Sequence, residues 1–94
     1  MRILIVEDEY LIAAEIADIL TTEGHTIVGI VASAEEVISL LTNGPLCDLT
    51  ILDANLAGSS VSPVATALER RSIPFIVVSG YSQWELLLPL RKAP

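Results

Sequence analysis

Four short runs of Ile, Val and Leu divide the chain, and polar or turn-forming residues bound each of them. The first run, residues 3–6, is continuously apolar and then meets acidic residues. A run of this length without an alternating polar face is typical of a strand buried on both faces of a parallel sheet. The pattern predicts four strands, at residues 3–6, 26–32, 49–52 and 73–80.

The segments between these runs have helical spacing. The apolar side of residues 10–23 is formed by Ile12, Ile16, Ile19 and Leu20. Gly24 follows in the position that favours a helix end. Ser33 is a good N-cap, with Glu36 three residues later as in a capping box, so a second helix is expected to run to about Asn43.

A third helix is predicted over residues 61–71, where Pro63 is tolerated in the first turn. A fourth begins within residues 82–92, and Pro89 should break or end it. Strands that alternate with helices in this way predict an α/β fold, a doubly wound parallel sheet with helices on both faces. Without a linker or a repeat, we expect one domain over residues 1–94.

Composition and charge limit the kinds of binding partner and the cellular location that we expect. Hydrophobic residues make up 52% of the chain, enough for a packed core, and the formal net charge is −7. This charge repels nucleic acid and anionic membrane surfaces. The opening "MRILIVEDE" meets acid too early for a secretory signal, and no apolar run reaches the roughly 18 residues that span a bilayer. With Cys47 as the single cysteine, we expect a cytoplasmic protein without an internal disulfide.

Polar residues follow three of the predicted strands. They are Glu7, Asp8 and Glu9 after the first strand, Asp53 and Asn55 after the third, and Ser79 and Gly80 after the fourth. If these strands are neighbours, Glu7, Asp8 and Asp53 converge, because the carboxyl ends of parallel strands meet at one edge. Three carboxylates in a small cleft need a counter-charge. Mg²⁺ suits them, since it binds one or two carboxylates and keeps several waters.

Beside Mg²⁺, the carboxylate of Asp53 could attack an incoming phosphoryl group, and the hydroxyl of Ser79 could donate to a phosphoryl oxygen. Each residue alone has a plainer interpretation. The acids after the first strand could be solvated or begin a helix, Asp53 could serve a turn, and Ser79 could be a loop hydroxyl. Together they favour a site.

Three stretches carry a family resemblance: "ILIVEDE", "LTILDANLAG" and "FIVVSGYS". Together they resemble the first strand with its acidic pair, the phospho-acceptor strand and the switch strand of the receiver domain of two-component response regulators. The resemblance covers essentially the whole chain. It implies a flavodoxin-like fold with sheet order 2-1-3-4, and a signalling domain rather than an enzyme.

The resemblance also implies roles. Asp53 would accept phosphate from a sensor histidine kinase or a phosphotransfer protein. Asp8 would bind Mg²⁺ directly, Glu7 mostly through water, and Asn55 through its backbone carbonyl. The hydroxyl of Ser79 would turn toward the phosphoryl group and couple it to the surface beyond the fourth strand.

The chain departs from the family pattern at its end, because the family has a fifth strand that carries a lysine, and a fifth helix. "RKAP", residues 91–94, follows no strand-like run, so we interpret strand five, its lysine and helix five as missing from these 94 residues. Little stable modification of Asp53 is then expected in the 94 residues alone. The apolar edge of strand four and the exposed face of helix one would favour self-association.

Other functions remain open at this point. A Mg²⁺-dependent phosphohydrolase also forms an aspartyl phosphate, but its nucleophile would follow strand one. A flavin binder would need a Ser/Thr/Gly-rich loop where the chain has Glu7 to Glu9. A receiver-like interaction module that is not switched by phosphorylation is the strongest alternative. The sequence does not identify the kinase or the downstream partner.

Overall fold

The computed structural model describes residues 1–44, 47–54 and 62–78, and in them strands and helices alternate. The strands are β1 (Arg2–Val6), β2 (Thr26–Val31), β3 (Leu49–Asp53) and β4 (Phe75–Val78). The helices are α1 (Tyr10–Thr22), α2 (Ala34–Asn43) and α3 (Ser62–Arg70). The predicted fourth helix lies outside the described residues.

All described strand pairs are parallel, and the sheet order is β2-β1-β3-β4. The predicted flavodoxin-like, doubly wound fold is therefore confirmed. Central strands β1 and β3 are buried along almost their whole length. Strand β4 is the last described strand, and the question of a fifth strand falls on residues after Val78. Self-association through its edge stays a prediction.

The two faces of the sheet bury different side chains, as the alternation of a strand requires. Ile3 and Ile5 of β1 pack with Ile51 under α1. Leu4 and Val6 point the other way and pack against α2 and α3. The continuous apolar run of β1 is thus explained by two cores, one on each side.

Helix α1 turns a slightly different face to the sheet from the one that its isoleucines predict. Its buried residues are Ala13, Ile16 and Leu20, whereas Ile12 and Ile19 are only half-buried. Ala13 is fully buried because a small side chain at the contact lets the helix lie close to the strands. The buried face of α1 therefore overlaps the predicted apolar side at Ile16 and Leu20 but is rotated so that Ala13 replaces Ile12 at its centre.

Helix α2 begins as predicted. The backbone N–H of Glu36 donates to Oγ of Ser33 at 3.2 Å, and the Ser33 hydroxyl donates to Oε1 of Glu36 at 3.3 Å. The side chain of Ser33 therefore satisfies one of the free N–H groups of the first turn. No helix in the described part of the chain is long and apolar enough to cross a bilayer.

Helices α1 and α3 end in the same hydrogen-bond motif but with different residues. The N–H of His25 donates to the carbonyl of Leu20, and the N–H of Gly24 to that of Thr21. The N–H groups of Ile73 and Ser72 repeat this pattern after α3, at the carbonyls of Leu68 and Glu69. Both are Schellman turns, which place one residue in the left-handed region. That residue is Gly24 in the first turn (φ 94°) and Ser72 in the second (φ 56°).

Opposite substitutions in the two turns should have opposite effects. Gly24→Ala should lower the free energy of unfolding by about 1 kcal/mol, because a Cβ is disfavoured at positive φ. Ser72→Gly should raise it by up to about 1 kcal/mol, since relief of strain exceeds the added backbone entropy. Urea unfolding of both variants measures this. Destabilisation by Ser72→Gly would contradict the account of the second turn.

Candidate functional site

The register of the sheet brings two acidic residues side by side. Val6 pairs with Leu52 across β1 and β3, so the next residues, Glu7 and Asp53, leave the two strands together. Backbone hydrogen bonds fix this end of the sheet on both sides. Glu7 N–H donates to the carbonyl of Val31 at 2.9 Å. On the other side, the N–H that follows Asp53 donates to the carbonyl of Val78 at 2.7 Å.

Three carboxylates converge at this end of the sheet, as the sequence predicts. Glu7, Asp8 and Asp53 each offer an oxygen, and these oxygens lie within 4.8 Å of one another. Glu7 and Asp53 are each only 6% exposed, whereas Asp8 is open to solvent. Glu9 is exposed and is the N-cap of α1. The group therefore combines a buried pair with one accessible acid.

The environment of Glu7 disfavours a negative charge on its carboxyl group. Burial raises the pKa of Glu7 to about 8, with further contributions from a hydrogen bond to Asp53 and from the charges of Asp53, Asp8 and Glu9. The raised pKa favours the protonated form of Glu7, which is hydrogen-bonded to Asp53. Its Oε2 is buried and has no hydrogen-bond partner among the described residues. An unsatisfied buried oxygen of this kind is costly.

These features fit a hard divalent cation. The donor set consists of carboxylate oxygens, which Mg²⁺ prefers. The unpartnered Oε2 of Glu7 offers a lone pair without a competing hydrogen bond, and the exposure of Asp8 leaves room for the waters that Mg²⁺ retains. A cation would also supply positive charge where three carboxylates converge.

The other predicted site residues, Asn55 and Ser79, lie outside the described residues, and so does Gly80. The structure describes their neighbours in the chain. Ala54 is hydrogen-bonded to β4, and Val78 pairs with Asp53. Strand β4 thus reaches the site one residue before Ser79.

Sequence reasoning did not distinguish the three acids by environment. The sequence does indicate that two of these acids are buried, because Asp53 ends the apolar run of β3 and Glu7 directly follows that of β1. What could not be foreseen is the raised pKa of Glu7, since it depends on burial and on the hydrogen bond to Asp53. The structure places both Glu7 and Asp53 in the interior and only Asp8 outside.

Comparisons with a family model and with curated proteins point to the same family. A family model described as the response regulator receiver domain matches residues 3–92. The transcriptional regulatory protein PdtaR of Mycobacterium tuberculosis is 32% identical over 94 residues, which cover 98% of this chain and 45% of PdtaR. The phyllosphere-induced regulator PhyR of Methylorubrum extorquens is 28% identical over 84 residues, or 87% of this chain and 32% of PhyR.

Solved structures agree. PhyR from Brucella abortus superimposes with a TM-score of 0.76 at 32% identity, over 98% of this chain and 37% of PhyR. PhyR from Bartonella quintana, described as an anti-anti-sigma factor, gives 0.72 at 30% identity, over 97% and 38%. This chain spans less than half the length of the curated relatives it matches. The matched model, the sheet order and the acidic site together show that the chain belongs to the response regulator receiver domain family of two-component systems.

Proposed function

We propose that this receiver domain accepts a phosphoryl group on Asp53 in a Mg²⁺-dependent reaction, with a sensor histidine kinase or a phosphotransfer protein as the donor. The observation that carries the proposal is the position of Asp53. Its carboxylate is buried at the end of β3, and one of its oxygens lies within 4.8 Å of oxygens from Glu7 and Asp8. Receiver domains in general bind Mg²⁺ at an acidic pocket of this kind.

The chemistry asks little of the protein beyond position and charge. A carboxylate oxygen of Asp53 attacks phosphorus, the bond from phosphorus to the donor nitrogen breaks, and an acyl phosphate forms. Bound Mg²⁺ supplies the positive charge that offsets the phosphoryl oxygens. Asp8 would hold it directly, Glu7 mostly through water, and Asn55 through its backbone carbonyl. The hydroxyl of Ser79 would donate to a phosphoryl oxygen.

The competing functions are less well supported. A phosphohydrolase would need its nucleophile after β1, whereas the buried aspartate of the group of three lies at the end of β3. A receiver-like module that only binds a partner would not need three converging carboxylates. We propose that the downstream partner of the phosphorylated domain is a regulatory protein, by likeness to PhyR, which is described as an anti-anti-sigma factor.

The test uses the natural gene product, with any sequence that follows residue 94. Incubation with acetyl phosphate and Mg²⁺ should add the mass of one phosphoryl group. EDTA should prevent the addition, and hydroxylamine should remove it, because an acyl phosphate is labile to nucleophiles. A product that resists hydroxylamine would contradict the proposal.

An exposed apolar pair beside the acids suggests where a donor protein docks. Tyr10 and Leu11 begin α1 directly after the acidic segment and are 71% and 82% exposed. Large apolar side chains left open next to a reactive group are suited to contact with a partner.

Leu11→Glu should therefore slow phosphotransfer from a cognate donor protein by about tenfold and leave the reaction with acetyl phosphate unchanged. Ile38→Glu is the matched control, because Ile38 is also exposed but lies on α2, across the sheet from α1. The rate of phosphoryl transfer from a phosphorylated donor protein is measured for both variants. Equal slowing by both variants would exclude a specific α1 contact.

A further inference from the structure

A cavity of about 450 Å³ lies at the end of the sheet opposite the three carboxylates. It is bordered by the start of β1, by the ends of α2 and α3, and by the segments that lead into β3 and β4. Its volume is within the range of pockets that hold small organic ligands, roughly 300–1,000 Å³. Nothing in the proposed phosphoryl chemistry uses it.

The walls of the cavity combine apolar and cationic groups. Leu41, Cys47 and Ile73 supply the apolar part. Arg2 and Arg71 supply two guanidinium groups, out of only five Lys and Arg residues in a chain with a net charge of −7. Two of the five cationic side chains of the chain therefore border this cavity.

Only one of these guanidinium groups is left for a ligand. Arg2 is held by Asp48, with Nη2 to Oδ1 at 3.1 Å, and its backbone N–H donates to Oδ2 at 2.7 Å. Arg71 donates from Nη1 to the carbonyl of Ala67 at 3.3 Å. Within the described ranges it has no carboxylate partner. Of the two guanidinium groups, only that of Arg71 is therefore without a paired carboxylate among the described residues.

The shape of the cavity depends on two tight helix ends. A Cβ on Gly44, after α2, would lie 2.6 Å from the carbonyl oxygen of Leu40, so a side chain is disfavoured there. No side chain of residue 44 therefore fills the cavity. After α3, the left-handed Ser72 turns the chain so that Arg71 and Ile73 both line the cavity.

From this combination we propose that the cavity binds a small organic monoanion, a carboxylate on an aromatic or aliphatic body. The planar fork of the Arg71 guanidinium matches a carboxylate, and Leu41 and Ile73 cover the apolar body. A phosphate monoester is disfavoured, because its second negative charge would have no counter-charge while Arg2 is held by Asp48.

Phenylacetate is a suitable probe, observed by backbone amide NMR. It should cause saturable shifts at Gly44, Ser72 and Ile73. Arg71→Gln should weaken this binding about tenfold or more, since a hydrogen bond to a charged group is lost. Arg70→Gln is the matched control, because Arg70 is the adjacent arginine, also exposed, and does not line the cavity.

Two further ligands test the chemistry. Phenylethanol, with the same ring and no charge, and phenyl phosphate should both bind more weakly than phenylacetate. Alkylation of Cys47, the only cysteine in the chain, gives an independent readout, and phenylacetate should slow it. Absence of saturable shifts, equal binding of the alcohol, tighter binding of the phosphate, or equal loss in both arginine variants would each overturn the proposal.

Discussion

Asp8→Asn should abolish Mg²⁺ binding to this domain. Asp8 is the accessible member of the three converging carboxylates, and we propose it as the direct ligand by resemblance to receivers. Loss of a group that only supports a ligand already costs about 10–100-fold in metal affinity, so loss of a ligand should cost at least about 100-fold. Titration of the amide NMR spectrum with Mg²⁺ measures the affinity.

Glu9→Gln is the matched control for this variant. It removes one negative charge from the neighbouring position, but Glu9 lies outside the group of three. Its effect should be a small change from the altered local charge. If both variants weakened Mg²⁺ equally, binding would reflect the general acidity of this surface and not a site.

The affinity for Mg²⁺ should also rise with pH. Without a cation, Glu7 keeps its proton up to a pKa of about 8, and Mg²⁺ must displace that proton. Affinity should therefore increase from pH 6 through about pH 8 and then level off. Glu7→Gln should flatten this dependence, because the amide has no proton to release.

The stability of the metal-free domain should change in the opposite direction. The pKa of Glu7 is raised by folding from an ordinary value of 4.5 to about 8. Above pH 4.5 the unfolded chain binds fewer protons at this group than the folded chain, so stability falls as pH rises. The loss should be complete above about pH 8, and Mg²⁺ should reverse it.

Asp53→Asn should remove the phosphoryl acceptor entirely. An amide of the same shape cannot form an acyl phosphate, and the loss of modification by acetyl phosphate should be complete. The variant should fold, because the substitution removes a buried charge next to Glu7 and keeps an oxygen that can accept its hydrogen bond. Intact mass after incubation with acetyl phosphate and Mg²⁺ gives the result.

The control for this variant is Asp48→Asn, at the other end of β3. Asp48 is exposed and paired with Arg2, so its loss should cost no more than about 1 kcal/mol of stability and should leave modification intact. Modification that survived in Asp53→Asn would show that another residue is the acceptor.

The sequence predicted the sheet and the acidic cluster well, for a physical reason. Strand β1 has no polar alternation because both of its faces are buried, so its position can be read from the apolar run to within one residue. Asp53 follows such a strand, and parallel pairing leaves little choice about which side chains meet at its end. Register and convergence therefore follow from pattern and topology.

The features that escaped prediction depend on three-dimensional detail. Ala13 is fully buried because α1 lies close to the sheet, and neither its size nor its position among isoleucines indicates this. Ser72 ends α3 in a conformation that usually requires glycine. The raised pKa of Glu7 depends on burial and on its hydrogen bond to Asp53, and the order of residues shows neither.

The central claim is that Asp53 carries the phosphoryl group, and reductive trapping tests it most directly. The natural protein is treated with acetyl phosphate and Mg²⁺, then with borohydride, which reduces an acyl phosphate to an alcohol, and the peptides are sequenced by mass spectrometry. We expect homoserine in place of Asp53, only when Mg²⁺ is present. Reduction at any other acidic residue, or none in a protein that gains a phosphoryl group, would contradict the account.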